Sequence, residues 1–221
     1  MRAERILQAY WVRLDPLAAR YPELARHLSR EEADRAAQFR APVDHLRYVV
    51  RHGWMREQLA AILGETPAAI PIVRERFGKP RIPGAPIGFS LSQSHGAALL
   101  VIGPDAAIGC DIAWRDPSFD VLAIAERFFS CGEWKALRSL DPGRQLSGFY
   151  HAWTCKEAYV KALGEGLSIP LDGFEVALDP DLPPALLRGC DGWSVAAFEP
   201  FPGFQAAVVA VGQWRLMRGV S

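Results

Sequence analysis

Residues 149–164 read FYHAWTCKEAYVKALG, and Trp153, Glu157 and Lys161 recur at i, i+4 and i+8, one face of a helix. An exposed acid and base one turn apart form an ordinary stabilising pair, worth about 0.2–0.5 kcal/mol. Trp153 argues that this face is at least half buried, where a charged pair needs a further purpose. On spacing alone the structural ion pair stays ahead. Asp111 shifts the balance, because its neighbours Ile108, Cys110, Ile112 and Trp114 make an unpaired carboxylate costly there. A strand Asp and a helix Glu are two hard oxygen ligands, a common way to hold Mg²⁺ while leaving positions for phosphate and water. The alternative is an Asp111 satisfied by neighbouring backbone or by an arginine.

Weaker candidates surround this core. Ser92, Gln93, Ser94 and His95 cluster hydroxyls, an amide and an imidazole at a strand edge, which suits phosphate or an ordinary polar loop equally well. Arg35, Arg40, Arg47, Arg51 and Arg56 are opposed in their window only by Asp44, with Arg47 and Arg51 one helical turn apart. Such a stretch can meet a small polyanion or be a solvated face. The chain holds only four lysines, and two of them, Lys156 and Lys161, fall within six residues. No Walker A, G-x-G-x-x-G or G-x-S-x-G sequence is present, which counts against P-loop, Rossmann and hydrolase readings. His27, His45, His52 and His151 have no partners at metal-ligand spacing.

These residues need elements to position them. A short strand at 9–13 precedes a Pro-containing loop, and Ser29 with Glu32 forms a capping-box signature that opens a helix. Asp44 is a candidate cap for a second helix running to Gly64. Residues 71–86, rich in Pro, Gly and basic side chains, read as loop or short edge strands. Residues 97–102 form a buried strand, 103–105 a turn, and 107–114 the hairpin partner of that strand. Alternation puts Ala107, Gly109, Asp111 and Ala113 on one face of this partner and Ile108, Cys110 and Ile112 on the other. Helical patterns follow at 121–129, 133–140 and 145–163, the last stopping at Gly164. Three antiparallel strands are expected at 174–178, 193–198 and 206–211. This order predicts an α+β protein in two similar halves.

Composition bounds the function. With 221 residues, 50% hydrophobic and 23% charged, the chain can bury a real core. Its zero net charge gives no reason to expect nucleic acid or a membrane as main partner, and its longest apolar run, 97–102, is too short to span a bilayer. The N-terminal stretch scatters Arg and Glu among apolar residues, so secretion is not supported. Cys110, Cys131, Cys155 and Cys190 include no C-x-x-C pair, and buried free thiols are the expectation. A cytoplasmic protein follows. The first half is net basic and the second net acidic.

Taken together, FGKP (77–80), FSLSQS (89–94), IGCD (108–111), RFFS (127–130) and WTCKEAYVKALG (153–164) resemble the Sfp-type 4′-phosphopantetheinyl transferases. The resemblance spans about residues 29–167, and the W-x-x-K-E-A-x-x-K-A helix with an upstream I-G-x-D is its most specific part. It implies a pseudo-dimer of two similar halves, 1–107 and 108–221, each a small antiparallel sheet packed with helices, with coenzyme A in the cleft between them. It further implies transfer of the phosphopantetheine arm to a serine of an apo acyl or peptidyl carrier protein, releasing adenosine 3′,5′-bisphosphate. By position Asp111 and Glu157 are the Mg²⁺ ligands, Glu157 the base, and Lys161 the group that stabilises phosphates and leaving group. Arg47, Lys79 and Ser92 match coenzyme A contacts, and Arg35 falls where a 3′-phosphate contact is frequent. Two positions depart from the pattern. Ala113 stands where many members have a second acid, and Gln93 stands where a phosphate-contacting histidine is usual. His95, two residues later, replaces that histidine only if its loop bends. The intact Asp111, Glu157 and Lys161 favour an enzyme over a non-catalytic coenzyme A or carrier-binding protein; a Mg²⁺-dependent pyrophosphate hydrolase would use the same ligands with water. The duplication predicts a monomer.

Overall fold

The computed structural model describes residues 5–104 and 107–219. The first half runs β1 (Ile6–Arg13), α1 (Tyr21–Leu24), α2 (Arg30–Ala36), α3 (Pro42–Leu63), β2 (Val73–Arg74), β3 (Pro80–Arg81), β4 (Gly88–Ser94) and β5 (Ala97–Gly103). The second runs β6 (Ile108–Trp114), α4 (Val121–Phe128), α5 (Cys131–Ser139), α6 (Pro142–Leu163), β7 (Glu175–Val176), β8 (Leu186–Arg188), β9 (Trp193–Phe198), β10 (Phe204–Val211) and β11 (Arg215–Arg218). This is the mixed α+β architecture expected. No helix among the described residues is long and apolar enough to cross a membrane.

Every residue of β5 is buried, as its apolar run requires, and it lies inside a sheet of order β11-β1-β5-β4. A second sheet has the order β6-β10-β9. The sheets face each other across an apolar layer in which Leu7, Leu99 and Val101 meet Ile108, Cys110, Ile112 and Val208. Helix α3 covers the outer face of the first sheet through Val50, Trp54 and Leu59, and α6 covers the second through Ala158 and Tyr159. The alternation read for 107–114 therefore holds, with the Ile108 face turned to the shared core.

Its pairing does not hold. β6 is no hairpin partner of β5; it pairs antiparallel with β10, Asp111 opposite Ala207. The physical reason lies in β4. The Ser90 and Ser94 hydroxyls accept hydrogen bonds from the Cys110 and Trp114 amides, at 3.1 and 3.0 Å. Serine side chains thus satisfy a strand edge that would otherwise need a backbone neighbour. Three other expectations are corrected. Asp44 lies inside the first turn of α3, which starts at Pro42 with Ala41 as its cap. β7 joins β8 in a separate ribbon instead of the second sheet, and β11 runs parallel to β1 on the first sheet. β1 also begins at Ile6, earlier than read.

The two halves repeat several devices. Ser29 with Glu32 and Ser130 with Glu133 each close a capping box. Glu32 continues to the buried Arg56 of α3 at 2.6 Å, and Glu133 to the buried Lys156 of α6 at 2.8 Å. Arg56 also donates to the Pro67 and Ile70 carbonyls, and Lys156 to those of Leu171 and Phe174. Helices α3 and α6 both open with Pro and close on a left-handed Gly, Gly64 and Gly164. Cys110, Cys155 and Cys190 are buried free thiols, while Cys131 is exposed.

Candidate active site

The IGCD strand and the α6 face meet because residue 109 has no side chain. A Cβ built on Gly109 would lie well inside 3.0 Å of the Ala158 carbonyl oxygen and the Ala162 nitrogen, so only glycine lets helix and strand come this close. Two residues on, Asp111 points to the same face and is buried. Lys161 Nζ donates to Asp111 Oδ1 at 2.5 Å and to Ser92 Oγ at 3.0 Å, and Ser92 Oγ donates to the same Oδ1 at 2.7 Å. The ion pair on α6 is therefore Lys161 with Asp111, across elements, not Lys161 with Glu157 along the helix. Asp111 is satisfied by a lysine and a serine, not by backbone or arginine.

Electrostatics follow from this packing. Burial pushes the Glu157 carboxyl up, the nearby Asp111 charge pushes it further, and Lys161 only partly offsets them. Burial opposes the charge of Lys161, but the Asp111 carboxylate, aided by its hydrogen bond, outweighs that and holds the ammonium above the ordinary lysine value. Two neighbouring carboxylates, Asp111 with both hydrogen bonds on one oxygen, have the hard-oxygen chemistry that suits Mg²⁺. Ala113 supplies no third. The described residues contain one cluster of three metal-ligating side chains, Glu23, His27 and Glu57, which includes neither Asp111 nor Glu157. Arg20 already bridges its two glutamates at 2.8 and 2.6 Å.

Glu157 and Lys161 open onto a cleft of about 510 Å³. All of FGKP lines it, together with Ser92 and Gln93 from β4. Lys79 Nζ donates to the Ala162 carbonyl at 2.8 Å, tying this loop to the end of α6. Arg51, His52 and Arg74 also line the cleft, and Arg74 extends into an adjoining hollow that Arg35 also lines. Arg51 was visible only as part of a basic helix face; His52 and Arg74 carried no signal in the sequence, the latter hidden in a Pro-rich loop.

Besides Arg35, which lines only the adjoining hollow, two expected coenzyme A contacts, Arg47 and His95, are not among the residues that line this cleft. Arg47 clamps Asp15 through Nε and Nη2 at 2.8 and 2.9 Å, so the two arginines one turn apart serve different neighbours. His95 sits with Gly96 in a two-residue turn, both at positive φ, and its Nδ1 lies 3.2 Å from Ser94 Oγ. That turn type joins β4 to β5, and bending it toward the cleft would break the hairpin.

Residues 107–209, which include Asp111, Glu157 and Lys161, match the model of the 4′-phosphopantetheinyl transferase superfamily. Similarity to individual members reaches further. The chain is 34% identical over 203 residues to the 4′-phosphopantetheinyl transferase HetI of Nostoc sp. (strain PCC 7120), covering 90% of this chain and 85% of that protein. The chain belongs to the 4′-phosphopantetheinyl transferase superfamily. It is also 33% identical over 202 residues to the 4′-phosphopantetheinyl transferase Sfp of Bacillus subtilis (strain 168), covering 84% of this chain and 88% of Sfp. Phosphopantetheinyl transferases deliver phosphopantetheine to carrier proteins.

Proposed function

We propose that coenzyme A occupies this cleft and that its phosphopantetheine arm passes to a serine of an apo acyl or peptidyl carrier protein. One observation carries the reading: Lys161 bridges Asp111 and Ser92 beside Glu157, at the mouth of a cleft whose other residues include Lys79, Arg51 and Arg74. The serine oxygen attacks the phosphorus that bears the pantetheine arm. As that bond forms, the bond from the same phosphorus to the bridging oxygen breaks, and adenosine 3′,5′-bisphosphate leaves with the electron pair. Glu157 takes the serine proton, and its raised pKa makes it a stronger base than an exposed carboxylate. Lys161 faces the charge that develops on the departing oxygen, in a site already ordered for it. Lys79 holds the phosphates, with Ser92 and Gln93 as neutral donors. Asp111 and Glu157 would hold Mg²⁺, which supplies positive charge to the pyrophosphate when bound. Arg47 and His95 have no part in this reading.

The halves 1–107 and 108–221 are read as a pseudo-dimer. The duplicated caps and buried ion pairs support this, as does the matching strand order of β1-β5-β4 and β6-β10-β9. One chain then supplies both walls of the cleft and works as a monomer. Three buried free thiols agree with the reducing cytoplasm. The test is release of adenosine 3′,5′-bisphosphate from coenzyme A with and without apo-carrier. Carrier-dependent release supports transfer. Equal release without carrier would make the chain a pyrophosphate hydrolase. Coenzyme A binding with no release would favour the non-catalytic binder to which Ala113 and Gln93 point.

A further inference from the structure

Strand β4 repeats serine at every second position, Ser90, Ser92 and Ser94, so all three hydroxyls leave one face. The outer two join β4 to β6 by accepting from the Cys110 and Trp114 amides. Ser92, midway between them, breaks the series. Its hydroxyl donates to Asp111 Oδ1 at 2.7 Å and accepts from Lys161 Nζ at 3.0 Å, while Lys161 reaches the same Oδ1. Ser92 is only 7% exposed, which leaves it little surface for a ligand. Both groups that hold Asp111 therefore converge on one carboxylate oxygen. Among the described residues no hydrogen bond or ion pair reaches Oδ2.

A serine hydroxyl has one hydrogen to give. Donated to Asp111, it is not available to a phosphate oxygen, so the phosphate role on β4 narrows to Gln93, which also lines the cleft. We propose that Ser92 is a positioning residue for the metal-ligating carboxylate: with Lys161 it pins Asp111 through Oδ1 and leaves Oδ2 as the oxygen offered to Mg²⁺. Lys161 is a poor anchor by itself, because its charge sits on a flexible four-carbon stem. The Ser92 hydroxyl is short and rides on a strand that its two neighbours in the series already fix to β6. Ala113 makes the orientation matter: it supplies no further acid, so a misaligned Asp111 leaves Glu157 alone. The inference rests on coenzyme A and Mg²⁺ using this cleft.

The probe is Mn²⁺ in place of Mg²⁺. Free Mn²⁺ is followed by its electron paramagnetic resonance signal as the full chain, saturated with coenzyme A, is titrated beside coenzyme A alone. Ser92→Ala should weaken Mn²⁺ binding by roughly 10- to 100-fold, the usual cost of removing a partner that orients a metal ligand. The variant keeps its fold because Ser90 and Ser94 still bond the β6 amides. Ser92→Thr retains the hydroxyl and should restore most of the loss. Coenzyme A affinity in EDTA, read by calorimetry, should change little in Ser92→Ala. Unchanged Mn²⁺ affinity in Ser92→Ala would overturn the inference. So would a loss of metal-free coenzyme A affinity as large as the loss for Mn²⁺, which would return the hydroxyl to phosphate. No coenzyme A binding by the unaltered chain would overturn the proposed function and this inference together, whereas Ser92-dependent Mn²⁺ binding without transfer would remove only the catalytic reading.

Discussion

Gly109→Ala tests the join between strand and helix on which the site depends. The added methyl would sit well inside 3.0 Å of two backbone atoms of α6 and 3.0 Å from a third, the Ala158 carbonyl carbon. Backbone cannot rotate away, so α6 must retreat by on the order of 1 Å to restore ordinary contact. Replacing glycine in a strand would by itself add about 0.4–1 kcal/mol by restricting the unfolded chain. Overpacking of this kind removes about 1–3 kcal/mol, so the clash wins and the variant is less stable. The retreat carries Glu157 and Lys161 away from Asp111, and a shift of that size costs about 10²-fold in rate. Initial rates of holo-carrier formation, normalised to folded protein by near-ultraviolet circular dichroism, give the first quantity; urea denaturation gives the second. A variant with unchanged rate and unchanged denaturation midpoint would refute the close seating of α6 on β6.

Glu157→Gln should lower turnover by roughly 10²–10⁴-fold while coenzyme A still binds, as rates beside calorimetry would show. Lys156→Met should leave Glu133 buried without its cation and lower unfolding free energy by about 3–5 kcal/mol, read from denaturant midpoints. His52 predicts a pH dependence of stability. Its folded pKa is depressed to about 3, so below the ordinary value of about 6.5 the unfolded chain binds a proton that the folded chain does not. Stability present at pH 7.5 is therefore lost as pH falls, by about 2 kcal/mol at pH 5 from this group. In His52→Phe the same pH change should remove correspondingly less, and an unchanged difference would contradict the buried neutral imidazole.

The sequence made the long helices and the buried strand legible because their signals are local: a capping box at Ser29, apolar spacing along 149–163, an unbroken apolar run at 97–102. Pairing is not local. A strand following a tight turn reads as a hairpin, and only the positions of the β4 serines explain why β6 pairs elsewhere. Strand β11 was missed because most of its side chains are exposed. In the site, Asp111, Glu157 and Lys161 stood out by residue type, yet their pairing depends on which strand underlies α6. Arg47 and Arg51 show the limit of a shared helix face. Spacing placed them together, whereas Asp15 and Tyr48, distant or inconspicuous in sequence, separate their roles.

The central claim is metal-assisted transfer of phosphopantetheine from this cleft to a carrier serine. Intact mass of an apo acyl-carrier protein, taken after incubation with the chain, coenzyme A and Mg²⁺ beside an EDTA control, tests it most directly. The account predicts a gain of one phosphopantetheine per carrier, abolished by EDTA. Unmodified carriers of several kinds, despite measurable coenzyme A binding, would contradict it.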